Sequence, residues 1–497
     1  MMTSEARPFP TSGDSLDDDD SPIADVERGA RPRRTLELQP QQRAVLVVLV
    51  AAVATAVAAP YPITKVLLGA VLALYWAKLL FDFDERFVGM FVLTLPALQL
   101  VPLEALGIGG LNWQTIFLII FVVATMSAAA PPVRSAVPGW ITYFSVLVVL
   151  AALYTWLTVH ALLWPLLVLV KNWLFPFSLF FLGRRLVRQP GQLWFLLLCV
   201  AVVSLALALH GLRDGLTAGN LLSNRPKGLL TDQANLFGGF LAMQALLCLF
   251  VARASDLGWI ERIFLVGAAF VMVLTLVFTL SRGDWLAFGV AGMVVGFMTN
   301  RVAVVLLVVA ALVGARWAPE EASSRADETL TAIGESGESS LEETLDGSAA
   351  LRVIQWKTFP DLLLESPLWG SGIATYAQRL GQHIGIFRPA HTTMVQIGTE
   401  MGVPGLLGYL GLFASVAIAC LSRARRARSG TFLHATGLGL LAATVCLFIA
   451  DFSGTRFPAH TVTTYYWLLI GAFLGATDAV RAPATSDAPT EHEQAAA

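Results

Sequence analysis

The sequence predicts an all-α polytopic membrane protein with about 12–14 transmembrane helices and one large outer loop that contains short helices. Of the 497 residues, 56% are hydrophobic and only 14% are charged, whereas a soluble globular chain usually carries about a quarter charged residues. Apolar runs of about 20 residues recur along the chain, which is the length a helix needs to cross a bilayer. No barrel-like alternation of apolar and polar residues is present, so helices must satisfy the backbone in lipid.

The predicted spans form two groups separated by one long polar segment. Each run begins and ends near charged, glycine or proline residues, which mark the loops between helices. The runs lie at 44–60, 62–81, 86–103, 114–130, 139–159, 161–181, 193–211, 231–252, 261–280, 284–299, 301–317, 402–421, 431–451 and 463–480.

The polar ends and the short loops predict the orientation in the membrane. The first apolar run follows a polar, charged stretch and is interpreted as a retained helix rather than a cleavable signal peptide. Arginines in short loops mark the cytosolic side, and a cytosolic N-terminus places the arginine clusters near 184–188 and 423–428 on that side as well. The loops at 212–230, 281–284, 318–401 and 452–462 then lie outside.

Five segments are predicted from these patterns. Both chain ends are low in hydrophobic residues and predict disorder. The segments are a disordered cytosolic tail at 1–43, a transmembrane bundle at 44–317, a large periplasmic loop at 318–401, further transmembrane helices at 402–480 and a disordered cytosolic tail at 481–497.

The long outer loop has two predicted parts. Residues 318–340 are acidic and rich in serine and glycine, a composition typical of a flexible chain. Residues 347–365 place apolar side chains at helical spacing and predict a helix on the membrane surface, bent at Pro360. A glycine turn is expected at 367–376.

Several function classes lack the motifs that they need. The net charge of −2 gives no basic field for nucleic acid. Zinc-protease, P-loop, dinucleotide and GxSxG motifs are absent, so no metal and no cofactor is predicted. Asp82 and Asp84 form a DxD pattern, which can hold a metal–phosphate group, but they lie on the predicted cytosolic side.

The four cysteines lie inside apolar runs and predict buried, inert thiols: Cys199, Cys248, Cys420 and Cys446.

Four cationic residues are predicted to gather on the outer face, at the depth of the lipid headgroups. They are Arg225, Lys227, Arg282 and Arg352. An arginine at the centre of a membrane helix costs about 2.5–3.5 kcal/mol on insertion scales, and guanidinium groups match phosphate oxygens in pairs. The cluster therefore predicts a site for an anionic headgroup such as a lipid-linked diphosphate. Each cation also has a structural alternative to anion binding. Arg225 and Lys227 can snorkel to the membrane interface, Arg282 can pair with Asp284, and Arg352 can lie on a solvated helix face.

The stretch RPAHTTMVQIGTEMGVPG, residues 388–405, adds an imidazole at the edge of this cluster. A helix starting at His391 would place Glu400 on the opposite side, so Glu400 is given a structural role before Gly402. At a helix start and near a dry surface, His391 is expected to be neutral at pH 7 and able to accept a proton. A structural histidine is the alternative.

The motifs resemble the O-antigen ligase and polymerase family of bacterial membrane glycosyltransferases. The resemblance covers about 220–420 and rests on RPKGLLTDQANLFGGF, then SRGDWLAF, then LRVIQWKTF and ESPLWGSGIATY, then AHTTMVQIGTEMGVPGLLGYLGLF. It implies His391 as the base and Arg225 and Arg282 as diphosphate contacts, with Asn235 in the same segment. This chain reads His-Thr-Thr and Asp-Gln-Ala-Asn where the family often reads His-Asn-Ser and Asp-Pro-Asn.

The resemblance implies a metal-independent, inverting transfer of a glycan from an undecaprenyl-diphosphate carrier to an acceptor hydroxyl at the periplasmic face of the bacterial inner membrane. The implied partners are the lipid-linked donor, an acceptor glycan or lipid A core, and membrane lipids, without nucleic acid. The residues leave ligase and polymerase activity equally open. A small-anion transporter using Lys78 or Lys171, and a noncatalytic subunit of a polysaccharide assembly complex, remain alternatives.

Overall fold

The structure is a computed structural model that describes residues 38–44, 84–98, 135–159, 163–217, 225–229, 231, 233–299 and 347–480, together with positions 47 and 119. The predicted spans at 44–60, 62–81, 114–130 and 301–317 lie outside these residues, apart from a few positions. Lys78, Asp82, the acidic stretch 318–340 and most of both predicted tails also lie outside them.

Within the described ranges, twelve α-helices have both ends defined. They are α1 (Glu85–Leu98), α2 (Val137–Val159), α3 (Leu163–Leu186), α4 (Pro190–Thr217), α5 (Ala234–Val251), α6 (Trp259–Phe278), α7 (Arg282–Phe297), α8 (Gly347–Glu365), α9 (Tyr376–Ile384), α10 (Thr393–Arg426), α11 (Phe432–Ala450) and α12 (His460–Val480). Seven helices of this part of the chain are long and apolar enough to cross a membrane, namely α2 to α6, α10 and α11. The predicted all-α polytopic membrane fold is confirmed.

Large apolar side chains on the outside of the bundle mark the surface that faces lipid. On α6, Trp259, Ile263 and Phe270 are all exposed, and on α2 the exposed side chains include Leu153 and Leu157. A soluble protein rarely leaves so large an apolar surface uncovered, whereas lipid tails are as apolar as these side chains.

The most extensive contact between helices joins α3 and α12, and three glycines allow it. A Cβ on Gly471 would lie 2.0 Å from the Phe180 carbonyl oxygen, and one on Gly475 would lie 2.4 Å from that of Arg184. Gly183 faces the backbone of α12 in the same way. Gly471 and Gly475 stand four positions apart on one helix face, the spacing that brings membrane helices into backbone contact.

The two ends of the bundle differ in charge. One end, called here the arginine end, contains Arg184, Arg185, Arg188, Arg253, Arg262, Arg423, Arg425, Arg426 and Arg428. There Asp478 is shared by two buried guanidiniums, with Oδ1 2.7 Å from Arg423 Nη2 and Oδ2 3.4 Å from Arg184 Nη2. These ion pairs join α3, α10 and α12. The opposite end, called the His391 end, contains the loops before α5, between α6 and α7, and between α11 and α12.

Helix α10 is broken at Gly402, which has φ +67° and ψ −162°. The break separates the first turns after His391 from the apolar remainder and falls on the first residue of the predicted run at 402–421. Its unpaired backbone groups bind the loop that precedes α9. Ser371 N donates to Thr399 O at 2.8 Å, Gly372 N to Glu400 O at 3.0 Å, and Val403 N to Pro367 O at 2.7 Å. Irregular backbone at membrane depth is stable only with such partners.

Candidate functional site

The first element of the candidate site is the short segment before α5. The Arg225 guanidinium donates from Nε to Thr279 O at 2.6 Å and from Nη2 to Asn235 Oδ1 at 2.7 Å. Asn235 therefore holds Arg225 in place at the start of α5. Lys227, two residues further on, is exposed in a turn whose carbonyl accepts a bond from Thr231 Oγ1 at 2.6 Å.

The second element is the start of α7, where the SRGD sequence turns from one membrane helix into the next. Arg282 is half-buried and opens the helix, while Asp284 is fully buried. Ser281 Oγ donates to Asp284 Oδ2 at 2.5 Å. Its other oxygen, Oδ1, lies 2.7 Å from Arg456 Nε, so Asp284 has a partner in the α11–α12 loop.

Glycines create the space for this buried pair of charges. A Cβ on Gly238 would lie 2.6 Å from Asp284 Oδ2, and a Cβ on Gly239 would lie 2.9 Å from Arg456 Cδ. Both glycines lie on the first turns of α5, in the GGF sequence. The backbone of α5 thus approaches the ion pair directly, which a side chain at either position would prevent.

The third element is the loop between α11 and α12, which is organised around Asp451. Its Oδ1 accepts bonds from Arg456 N at 2.9 Å and Phe457 N at 3.0 Å. Its Oδ2 accepts a bond from Tyr409 Oη at 2.8 Å. Phe457 fills the bundle below, with its ring centroid 5.5 Å from that of Phe144. The carboxylate thus fixes the backbone at Arg456, and the Arg456 guanidinium donates from Nη1 to Ala450 O at 2.5 Å.

The fourth element carries His391. Its N–H donates to Gln355 Oε1 on α8 at 2.8 Å, and Gln355 Nε2 donates to Pro389 O at 3.0 Å. Thr392 is the N-cap of α10, since its Oγ1 accepts a bond from Val395 N at 3.2 Å. His391 therefore precedes the helix by two residues. The expectation that His391 begins a helix is wrong, and helical spacing does not set the direction of its side chain.

The two threonines after His391 have structural partners in this chain. Thr393 Oγ1 donates to Asp451 Oδ1 at 2.7 Å, while Thr393 N donates to Asp451 O at 3.0 Å. The loop of His391 is thereby attached to the loop of Arg456. Helix α8 is attached there as well, because the Trp356 and Phe452 rings stack with centroids 5.9 Å apart.

The electrostatic environment of His391 favours the neutral imidazole. Burial lowers the pKa of His391 below its ordinary value, and the positive charges of Arg352 and Arg388 lower it further. Arg352, on α8, also acts electrostatically on Asp284, beside Arg282. Arg352 is thus close to both the imidazole and the start of α7.

The hydrogen-bonded loops bring most of the predicted residues to one end of the bundle. Arg225, Asn235 and Arg282 lie at the α6–α7 turn, and His391 lies beside the α11–α12 loop that contacts this turn. Arg352 lies on α8, one turn before Trp356, whose ring stacks on Phe452 of the α11–α12 loop. Lys227 lies at the same end but outside these contacts.

Glu400 has the structural role expected of it. It is buried, its Oε1 accepts a hydrogen bond from Tyr376 N at 3.3 Å, and its Oε2 accepts one from Gln396 Nε2 at 3.4 Å.

Two residues of this network, Asp451 and Arg456, are missed by the sequence reasoning, and Asp284 is considered there only as a local partner of Arg282. One sequence signal is available for them: an arginine and an aspartate each lie in a short loop between apolar runs. A charge that is buried there requires a partner of opposite charge. Outside the site, Asp84 forms an ion pair with Arg86, and the four cysteines are buried free thiols, as predicted.

The fold and these contacts define a multi-pass helical membrane protein with several arginines and the His391 imidazole at the same end of its bundle. Residues 267–410 match the family model described as O-Antigen ligase. The match supports the predicted resemblance to the O-antigen ligase and polymerase family over this part of the chain, and that family consists of glycosyltransferase-type enzymes. The match includes Arg282, Arg352 and His391. A search of the curated proteins found no match.

Proposed function

We propose that this protein transfers a glycan from an undecaprenyl-diphosphate carrier to an acceptor hydroxyl at the periplasmic face of the inner membrane. The observation that carries the proposal is the set of contacts that joins the loop of His391 to the start of α7. Thr393 Oγ1 donates to Asp451 Oδ1 at 2.7 Å, and Arg456, in the same loop as Asp451, has its Nε 2.7 Å from Asp284 Oδ1. These contacts support a proton acceptor and fixed cations at one end of the bundle, opposite the arginine end that the positive-inside rule assigns to the cytosol.

The proposed reaction is a single displacement. The acceptor hydroxyl gives its proton to the neutral His391 imidazole while its oxygen attacks the anomeric carbon. The bond between that carbon and the diphosphate oxygen breaks, and the electron pair leaves with undecaprenyl diphosphate. Attack opposite the leaving group inverts the anomeric carbon. A base of this kind typically contributes about 10²–10⁴-fold to the rate.

The arginines supply the second contribution. Negative charge grows on the diphosphate as the bond breaks, and preoriented cations stabilise that state more than the ground state. Asn235 and the Thr279 carbonyl hold Arg225 before substrate arrives. Arg282, Arg352 and Lys227 complete the proposed set of diphosphate contacts. Because these cations offset the leaving-group charge, the proposed mechanism uses no metal and no cofactor.

The test is glycan transfer in membranes that contain His391→Ala or Arg282→Ala. We expect transfer to fall by at least about 10²-fold for His391→Ala. The matched control is His383→Ala, which alters a histidine of α9 placed near Asp361 and Glu365. Normal transfer by both site variants at normal protein levels would end the proposal.

The acceptor decides between the two activities of the family. A ligase moves a finished glycan to lipid A core or another acceptor, and a polymerase extends a growing chain. Glycans of a deletion strain separate these alternatives on a gel. Unattached long chains indicate a ligase, and single capped repeats indicate a polymerase.

A further inference from the structure

A pocket lies at the arginine end, away from His391. It has a volume of about 440 Å³ and is formed where α5, α7 and α10 end and α11 begins. Arg253, Thr299 and Arg425 line it, together with the loop at Ser429 and with His434. None of these residues belongs to the site proposed for glycan transfer.

The charge of the pocket depends on its two arginines. Arg253 Nη1 donates to Thr299 Oγ1 at 2.9 Å, which holds the guanidinium at the end of α7, and Arg425 is exposed. Three helix C-termini meet here, and their carbonyls alone would repel an anion. His434 Nδ1 donates to one of them, Ala424 O, at 2.8 Å. Among the described residues that line the pocket, none is acidic.

The walls below the arginines are apolar. Phe250, Met298, Leu421 and Leu438 line this part, and Met298 is exposed on the outside of the bundle. A small inorganic anion would use only the polar rim of such a pocket. A molecule with a phosphate at one end and hydrocarbon at the other would use both parts.

We propose that this pocket binds the phosphate of an anionic phospholipid from the cytosolic leaflet, with Arg253 and Arg425 on the phosphate oxygens and the glycerol and first acyl carbons against the apolar wall. Guanidinium groups bind phosphate oxygens through paired hydrogen bonds. The arginine end faces the cytosol by the positive-inside rule, where the leaflet is negatively charged and basic pockets between helices bind acidic headgroups. The bound lipid joins the ends of three helices through one headgroup.

The experiment is native mass spectrometry of the full chain in neutral detergent. The protein is titrated with phosphatidylglycerol and, separately, with phosphatidylcholine. In a third titration, inorganic phosphate competes with bound phosphatidylglycerol. Arg425→Gln is compared with Arg428→Gln, which removes the same charge at the same end outside the pocket. Arg253→Gln is a second test variant, with its thermal midpoint recorded to exclude misfolding.

We expect phosphatidylglycerol to bind about tenfold or more weakly to Arg425→Gln and Arg253→Gln, because each loses charge-assisted hydrogen bonds, while Arg428→Gln stays at the wild-type affinity. Equal weakening by all three variants would overturn the proposal in favour of diffuse charge attraction. Equal binding of phosphatidylcholine would also overturn it, as would displacement of phosphatidylglycerol by inorganic phosphate.

Discussion

Arg456 Nε lies 2.7 Å from Asp284 Oδ1, and the two side chains are 1% and 0% exposed. This ion pair joins the α11–α12 loop to the start of α7, next to Arg282. The pair is enclosed by the α5 backbone at Gly238 and Gly239, so neither charge has water as an alternative partner. The position of the α6–α7 turn at the candidate site therefore depends on an interaction between two short loops.

Loss of one partner should destabilise the protein strongly. Removing one charge of a buried pair typically costs about 3–5 kcal/mol, because the other charge stays buried without compensation. We expect Arg456→Gln and Asp284→Asn each to lower the thermal midpoint in detergent, measured by tryptophan fluorescence. The double variant should lose less than the sum of the two, since it leaves no uncompensated charge. Exact additivity of the two effects would show that the pair is not coupled.

The pH dependence of glycan transfer should report the His391 pKa. The ordinary imidazole value is about 6.5, and burial with Arg352 and Arg388 lowers the pKa of His391 below it. The base is therefore neutral at pH 7, and transfer should fall only as the pH drops below the ordinary value. In Arg352→Gln, the lost positive charge should raise the pKa and move the acidic limb to higher pH. An unchanged limb in that variant would contradict the assignment of His391 as base, and His383→Gln serves as the control.

Gly402→Ala should be poorly tolerated. The residue has φ +67°, and an added Cβ would lie 2.5 Å from the Pro367 carbonyl oxygen. Backbone strain of this kind costs about 1–3 kcal/mol, and the contact with the loop must also open. The control is Gly289→Ala on α7, where a Cβ meets nothing within 4 Å. We expect the thermal midpoint to fall for Gly402→Ala and to hold or rise for the control.

Gly471→Leu should prevent α3 and α12 from packing. Its Cβ would lie 2.0 Å from the Phe180 carbonyl oxygen, which belongs to the backbone and cannot move aside alone. We expect little monodisperse protein on size-exclusion chromatography. Gly267→Leu on α6 has nothing within 4 Å of its Cβ and should elute as the wild type does. Normal recovery of Gly471→Leu would mean that the two helices pack less closely than described.

Hydropathy and helical spacing predict most of the helices of the described region, although the short α9 is not predicted. The run at 139–159 became Val137–Val159, and the predicted surface helix at 347–365 has those same ends. Local sequence rules work here because lipid permits little other than helix for an apolar run. The charged cluster is also predictable from the sequence. Arg225 and Arg282 each lie next to apolar runs, where a charged side chain raises the free energy of membrane insertion and therefore indicates a role.

The contacts between distant loops could not be read in this way. Asp451 binds Thr393, which lies 58 positions earlier, and no local pattern specifies that distance. The helix predicted to begin at His391 begins two residues later, because Thr392 is its N-cap. No local pattern predicts that Arg456 is buried, because its partner Asp284 lies in a loop that is distant along the chain.

The hydrogen bonds between residues 367–372 and the break in α10 also bear on biogenesis. During synthesis the loop leaves the ribosome before the broken helix does. The partners of Thr399, Glu400 and Val403 are consequently synthesised before α10. Reversing that order would bring unpaired amides and carbonyls into hydrocarbon, so the succession of these two segments along the chain favours orderly insertion.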